Sequence, residues 1–122
     1  MEQFTADVIS GAGRGKGLGF PTLNLSLDAV PATLKHGIYA CIVYIGKDQY
    51  PAAVHFGPRP TFDDTISFEV HLLDTELNDA PNSLQVHVIE HIRDVRGFDS
   101  ADELTAQLEK DCDQVRGILD LS

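Results

Sequence analysis

Ile38-Tyr39-Ala40-Cys41-Ile42-Val43-Tyr44-Ile45-Gly46-Lys47-Asp48-Gln49-Tyr50-Pro51-Ala52-Ala53-Val54-His55-Phe56 is the stretch that decides the fold class. Residues 38–45 are apolar and rich in β-branched and aromatic side chains, residues 50–56 are similar, and Gly46-Lys47-Asp48 between them has hairpin-turn composition. Two neighbouring antiparallel strands follow. Runs of the same kind recur at 4–9, 67–74 and 84–92, several with the two-residue period of a half-buried strand. In Phe68-Glu69-Val70-His71-Leu72-Leu73-Asp74 one face carries Phe68, Val70 and Leu72, and the other Glu69, His71 and Leu73. Glu69 therefore sits mid-strand beside residues that read as buried.

Towards the end the period changes. Ser100-Ala101-Asp102-Glu103 is a capping box, and Ala101, Leu104, Leu108, Cys112, Val115 and Leu119 recur at helical spacing. The pattern predicts one amphipathic helix over 100–119, its acidic outer face a solvated surface. Short strands followed by one helix predict a mainly β fold, a small barrel closed by that helix. The sequence shows no repeats, low-complexity segments or linker. At 122 residues, 43% hydrophobic and 23% charged, the chain is expected to form a single domain over 1–122.

Cys41 lies in an apolar run and Cys112 on the predicted helix, without zinc-ligand spacing, so both read as small core residues of a reduced, cytoplasmic protein. No apolar stretch nears the roughly 20 residues that span a membrane, and no signal peptide is recognised at Met1. The net charge of -10 argues against a nucleic-acid or anionic-membrane binder. Its distribution is uneven: residues 1–60 hold four acids and five bases, residues 61–122 fifteen acids and four bases. A site for a phosphorylated ligand is expected to draw on the first half.

That half contains Ser10-Gly11-Ala12-Gly13-Arg14-Gly15-Lys16-Gly17-Leu18-Gly19-Phe20-Pro21-Thr22-Leu23-Asn24, with half of the ten glycines at alternate positions. A flexible turn is one reading. A phosphate-binding arch is the other, because glycine lets backbone N–H groups approach an anion while Arg14 and Lys16 supply charge. The P-loop pattern is not met, since Ser10 stands at its first glycine and Gly17 follows Lys16; the dinucleotide fingerprint fails at Leu18. Thr22 and Asn24 then offer a hydroxyl and an amide oxygen on one face of an extended chain. Such hard donors suit magnesium, which takes oxygen ligands together with substrate phosphates, although Thr and Asn at turns also bond the backbone. His87 and His91 are four apart on a strand, roughly 13 Å by strand rise, and cannot chelate one ion. His71 reads as a neighbour of Glu69, and His36 and His55 as ordinary polar residues.

Gly11-x-Gly13-Arg14-Gly15-Lys16-x-Leu18-Gly19-Phe20-Pro21-Thr22-x-Asn24 resembles the signature of the riboflavin kinase (flavokinase) family. Further matches in order are Gly37-Ile38-Tyr39-Ala40, Gly57-x-Arg59-Pro60-Thr61-Phe62, the Phe68 to Asp74 segment quoted above, and Ile92-Arg93-x-x-Arg96-x-Phe98 before the capped helix. The resemblance implies a six-stranded antiparallel Greek-key β-barrel with a C-terminal α-helix. It implies transfer of the γ-phosphoryl of ATP to the ribityl 5′-hydroxyl of riboflavin, giving FMN and ADP. By the same motifs Gly11 and Lys16 would lie at the ATP phosphates, and Thr22 and Asn24 at Mg2+, with Thr22 also touching nucleotide. Glu69 would be the catalytic base, Leu72 and Asp74 would contact nucleotide, and Arg93, Arg96 and Phe98 would engage the flavin. Without the resemblance Glu69 also reads as a barrel-wall carboxylate paired with an arginine, and Phe98 as a staple for the helix.

Two departures stand out. Ala80-Pro81 replaces the Tyr-Gly common in the family near the nucleotide, so weaker or differently placed nucleotide binding is expected; Lys16 stands where many bacterial members carry Arg, losing a bidentate fork. Bacterial relatives also join this module to an N-terminal FMN adenylyltransferase, to which nothing here corresponds. Conversion of FMN to FAD is therefore expected to need such a domain or a separate FAD synthetase. The rival readings are a flavin- or nucleotide-binding barrel with weak or no turnover, and a β-barrel interaction domain.

Overall fold

The computed structural model describes residues 2–10, 22–58, 66–73, 81–97 and 100–119, and among them are six strands, a short 3-10 helix at Leu27–Ala29 and one α-helix. The strands are β1 Gln3–Ser10, β2 Thr22–Leu25, β3 Gly37–Ile45, β4 Asp48–Gly57, β5 Ser67–Leu72 and β6 Ser83–Arg93, and the helix is α1, Ala101–Ile118. They close into a barrel in the order β1-β2-β5-β4-β3-β6, every neighbouring pair antiparallel. Within that order β3, β4 and β5 lie side by side and β6 returns beside β3, which is a Greek key. The fold expected from the sequence is the fold observed.

Strand alternation decides what fills the barrel. Leu23 and Leu25 of β2, Phe68, Val70 and Leu72 of β5, and Val86 and Val88 of β6 point inward and are almost wholly buried. Each such side chain contributes roughly 1.5–3 kcal/mol over its exposed state. Among the described strands closure gives each one a neighbour on both sides. Between β3 and β4 the chain turns on Gly46, whose φ of 61° is readily adopted only by glycine, so the predicted hairpin is present.

The outer face between β3 and β4 is lined by small residues. Ala40 and Ala53 pair across these strands and, with Leu73, receive Cys112 and Val115 of α1. Methyl groups there let the helix approach the sheet closely. Ser100 caps it by accepting a hydrogen bond from the Glu103 amide at 3.2 Å, as the capping box predicts. The side chains of Ala101 and Leu104 lie outside the described residues. The acidic outer face of α1 is solvated, as expected, and one acid lies off that face. Asp102, Glu103, Glu109 and Asp113 are exposed, but Asp111 is buried against the barrel. It falls three residues after Leu108 and so shares the inward stripe. Cys41, inside the barrel, and Cys112, under the helix, are both buried free thiols, and burial pushes the Cys41 thiol well above its ordinary pKa.

Two irregularities in the β3–β6 register shape the end of β6. The first brings His91 opposite Tyr39, whose ring it meets edge-on at 5.2 Å, and the second leaves Arg93 opposite Ile38. Gly37 makes room for that ring. A Cβ at Gly37 would stand 2.4 Å from His91 Nε2 and 3.1 Å from the Arg93 carbonyl oxygen. Gly37→Ala is expected to cost about 1–3 kcal/mol of stability, the usual range for overpacking, seen as a lower urea midpoint at unchanged slope.

Candidate active site

Thr22, Asn24, Glu69, His71 and His55 come together on the outer face of β2, β5 and β4. With Leu23 and Leu25 committed to the core, alternation turns Thr22 and Asn24 outward; with Phe68 and Val70 inside, Glu69 and His71 share that outer face. Register does the rest. Asn24 pairs with Glu69, which pairs with His55 on β4, while Thr22 pairs with His71, which pairs with Ala53. Residues directly opposite in this way have Cβ atoms about 4.5–5.5 Å apart. Three adjacent strands thus carry a carboxylate, two hard oxygen donors and two imidazoles in two neighbouring rows.

Thr22 is 2% exposed and His71 6%, and the Thr22 Oγ1 lies 3.2 Å from His71 Nδ1. Burial holds the His71 pKa below its ordinary value; the Glu69 carboxylate opposes this, the His55 ring adds to it, and the Asp111 carboxylate opposes it again. Glu69 is half-buried, and one of its oxygens, Oε2, accepts a hydrogen bond from the Ser67 hydroxyl at 3.2 Å. It is held by a strand yet open to a ligand, as a base must be.

Arg93 and α1 form the adjoining corner. Its guanidinium donates to both Asp111 oxygens, at 2.9 Å from Nε and 2.8 Å from Nη2, and to the Asp94 carbonyl at 3.1 Å. Gln107 donates to Asp111 as well, at 2.9 Å. This fork-to-carboxylate geometry fixes the guanidinium plane and ties β6 to the helix. Arg96 is exposed on the segment after β6. Leu72 is fully buried inside the barrel, on the face opposite Glu69, so only its main chain is available to a ligand. Gly11, Lys16, Asp74 and Phe98, named in the sequence reading, lie outside the described residues, as does Ala80. His87 and His91 pack against different tyrosines, Tyr44 and Tyr39, in keeping with their strand spacing.

Sequence reasoning missed His55 and Asp111. The alternation of β4 already turned His55 outward, but its pairing with Glu69 depends on the register between strands. Among the described residues no cluster of three or more His, Cys, Asp or Glu side chains could hold a metal ion. Thr22 and Asn24, with oxygen donors only, fit magnesium, which keeps few protein ligands and shares its shell with substrate phosphates.

Comparison with known proteins bears on the family of the chain. A family model described as riboflavin kinase matches residues 2–119. The chain is 35% identical over 106 residues to the bifunctional riboflavin kinase/FMN adenylyltransferase of Escherichia coli K12, covering 85% of this chain and 34% of that protein. It is 31% identical over 141 residues to riboflavin kinase of Pyricularia oryzae, covering 93% and 68%. It thus spans about a third of the length of the bifunctional bacterial relatives. Among solved structures it resembles one described as a macrolide-efflux protein from Streptococcus pneumoniae, with a TM-score of 0.76, 31% identity, and coverage of 93% of this chain and 38% of that one. Among the described residues no helix is long and apolar enough to cross a membrane. With the barrel, the Thr22–Asn24–Glu69 face and a match over nearly the whole sequence in hand, the chain belongs to the riboflavin kinase family.

Proposed function

We propose that the chain transfers the γ-phosphoryl group of ATP to the ribityl 5′-hydroxyl of riboflavin, giving FMN and ADP. The observation that carries the reading is the pairing of Asn24 with Glu69, one row from Thr22, on strands that a closed barrel holds rigid. Phosphoryl transfer needs an in-line hydroxyl, neutralised charge on the moving oxygens and a group to take the proton. Glu69 takes that proton as the ribityl oxygen bonds to the γ-phosphorus; the bond to the β–γ bridging oxygen breaks, and ADP leaves with its electron pair. Thr22 and Asn24 hold Mg2+, which when bound offsets the charge of the phosphate oxygens.

The remaining assignments follow the family motif. Gly11, Lys16 and Asp74 bind nucleotide by side chain or backbone, and Leu72 by its main chain. Arg93, Arg96 and Phe98 border the flavin, with Arg93 oriented by Asp111. The reading assigns the reaction to the cytoplasm, in keeping with two buried free thiols, and upstream of an adenylyltransferase. Incubation with riboflavin, ATP and Mg2+, with products separated by chromatography, is expected to yield FMN and ADP in equal amounts. Folded protein that quenches riboflavin fluorescence but forms no FMN would instead be a flavin-binding module.

A further inference from the structure

A hydroxyl that serves a hard cation must present an oxygen lone pair, so its proton has to be accepted elsewhere. In this barrel the neighbouring acceptor is on the page. His71 Nδ1 stands 3.2 Å from Thr22 Oγ1 across the β2–β5 pair, and both side chains are buried. Ala53, on the far side of His71, packs with Cys112 and Val115 of α1, so the outer face there is covered. A ring enclosed in this way has few orientations, and its hydrogen bond to Thr22 is correspondingly fixed.

We propose that His71 is a positioning residue for the cation end of the site: its Nδ1 accepts the Thr22 hydroxyl proton, and this leaves the Oγ1 lone pairs available to a divalent cation carried by the nucleotide phosphates. The inference rests on the reading of Thr22 and Asn24 as the cation's oxygen donors. It assigns His71 the tautomer with Nε2 protonated and Nδ1 bare. His71 touches neither phosphate nor flavin; it acts through Thr22. Partners of metal-binding side chains typically change metal affinity or activity by about 10–100-fold when removed.

Nitrogen–proton spectra of the native chain with 15N-labelled histidine, recorded without ligands, are expected to show His71 with a bare Nδ1 and a protonated Nε2. Assignment comes from the signals lost in His71→Asn, and a protonated Nδ1 would overturn the proposal. His71→Phe keeps the ring volume without an acceptor, whereas His71→Asn returns an amide oxygen near the position of Nδ1. Mg2+ titrations at saturating ADP, read by thermal stabilisation, are expected to give a half-saturation about 10–100-fold higher in His71→Phe. His71→Asn should recover most of that loss, and riboflavin binding, read by fluorescence quenching, should be unchanged in both. An unaltered Mg2+ titration in His71→Phe overturns the proposal, as does a loss in His71→Asn equal to that in His71→Phe. Thr22→Val separates the two levels. If it loses Mg2+ response while His71→Phe does not, only the role of His71 falls; if it titrates like the parent, the cation assignment itself fails and takes the inference with it.

Discussion

Glu69→Gln is expected to lower FMN formation by about 100- to 10,000-fold, the range general-base catalysis supplies. Glutamine keeps the size of the side chain and an oxygen that can still accept from the Ser67 hydroxyl, so the strand and its pairing with Asn24 and His55 should persist. What it lacks is a carboxylate able to take a proton. The fall should therefore lie in kcat, with riboflavin binding, measured by fluorescence quenching, close to that of the parent protein. The same split distinguishes a lost base from a damaged barrel, since damage would weaken binding and turnover together. Turnover near the parent value would remove Glu69 from the role of base and return it to that of a wall carboxylate.

The second large effect concerns stability. Asp111→Ala is expected to destabilise the fold by about 3 kcal/mol, the low end of the range for breaking a buried ion pair. The low end applies because the Arg93 side chain keeps 21% of its exposure, whereas that of Asp111 keeps 2%. Removal of the carboxylate leaves the guanidinium without its bidentate acceptor and Gln107 without its own. A urea midpoint unchanged from the parent would show that the pair contributes nothing. The double variant Arg93→Met with Asp111→Leu should regain most of the loss, because an apolar pair of similar volume removes the stranded charge. It should not regain flavin binding if Arg93 borders the flavin.

The hairpin at Gly46, the alternation of β5 and the Ser100 cap were legible because each is a local matter, decided by residues a few positions apart. The polar face was half legible. Periodicity alone put Glu69 and His71 on one side of β5 and Leu72 on the other, and the structure keeps them there. No local pattern states that Asn24 faces Glu69 or that His55 completes the row, since both depend on which strands pair and in what register. Asp111 was missed for a related reason. Its spacing from Leu108 and Val115 places it on the inward stripe, but the counter-charge that makes burial tolerable comes from Arg93 on a separate strand. The paired irregularities near the end of β6 leave no mark in composition either, although they turn His91 onto Tyr39.

The meeting of β2 with β5 also governs when the site comes into being as the chain folds. Thr22 and His71 are 49 positions apart, and their strands become neighbours only once β3 and β4, which lie between them in sequence, have been laid down, so neither half can prefigure the other in an open chain. Topologies dominated by such distant pairings fold on the order of milliseconds to seconds, after local hairpins have formed. During refolding from urea, recovery of riboflavin quenching should therefore trail formation of the β3–β4 hairpin and coincide with closure of the barrel. Ligand capture thus becomes a clock for the last topological step.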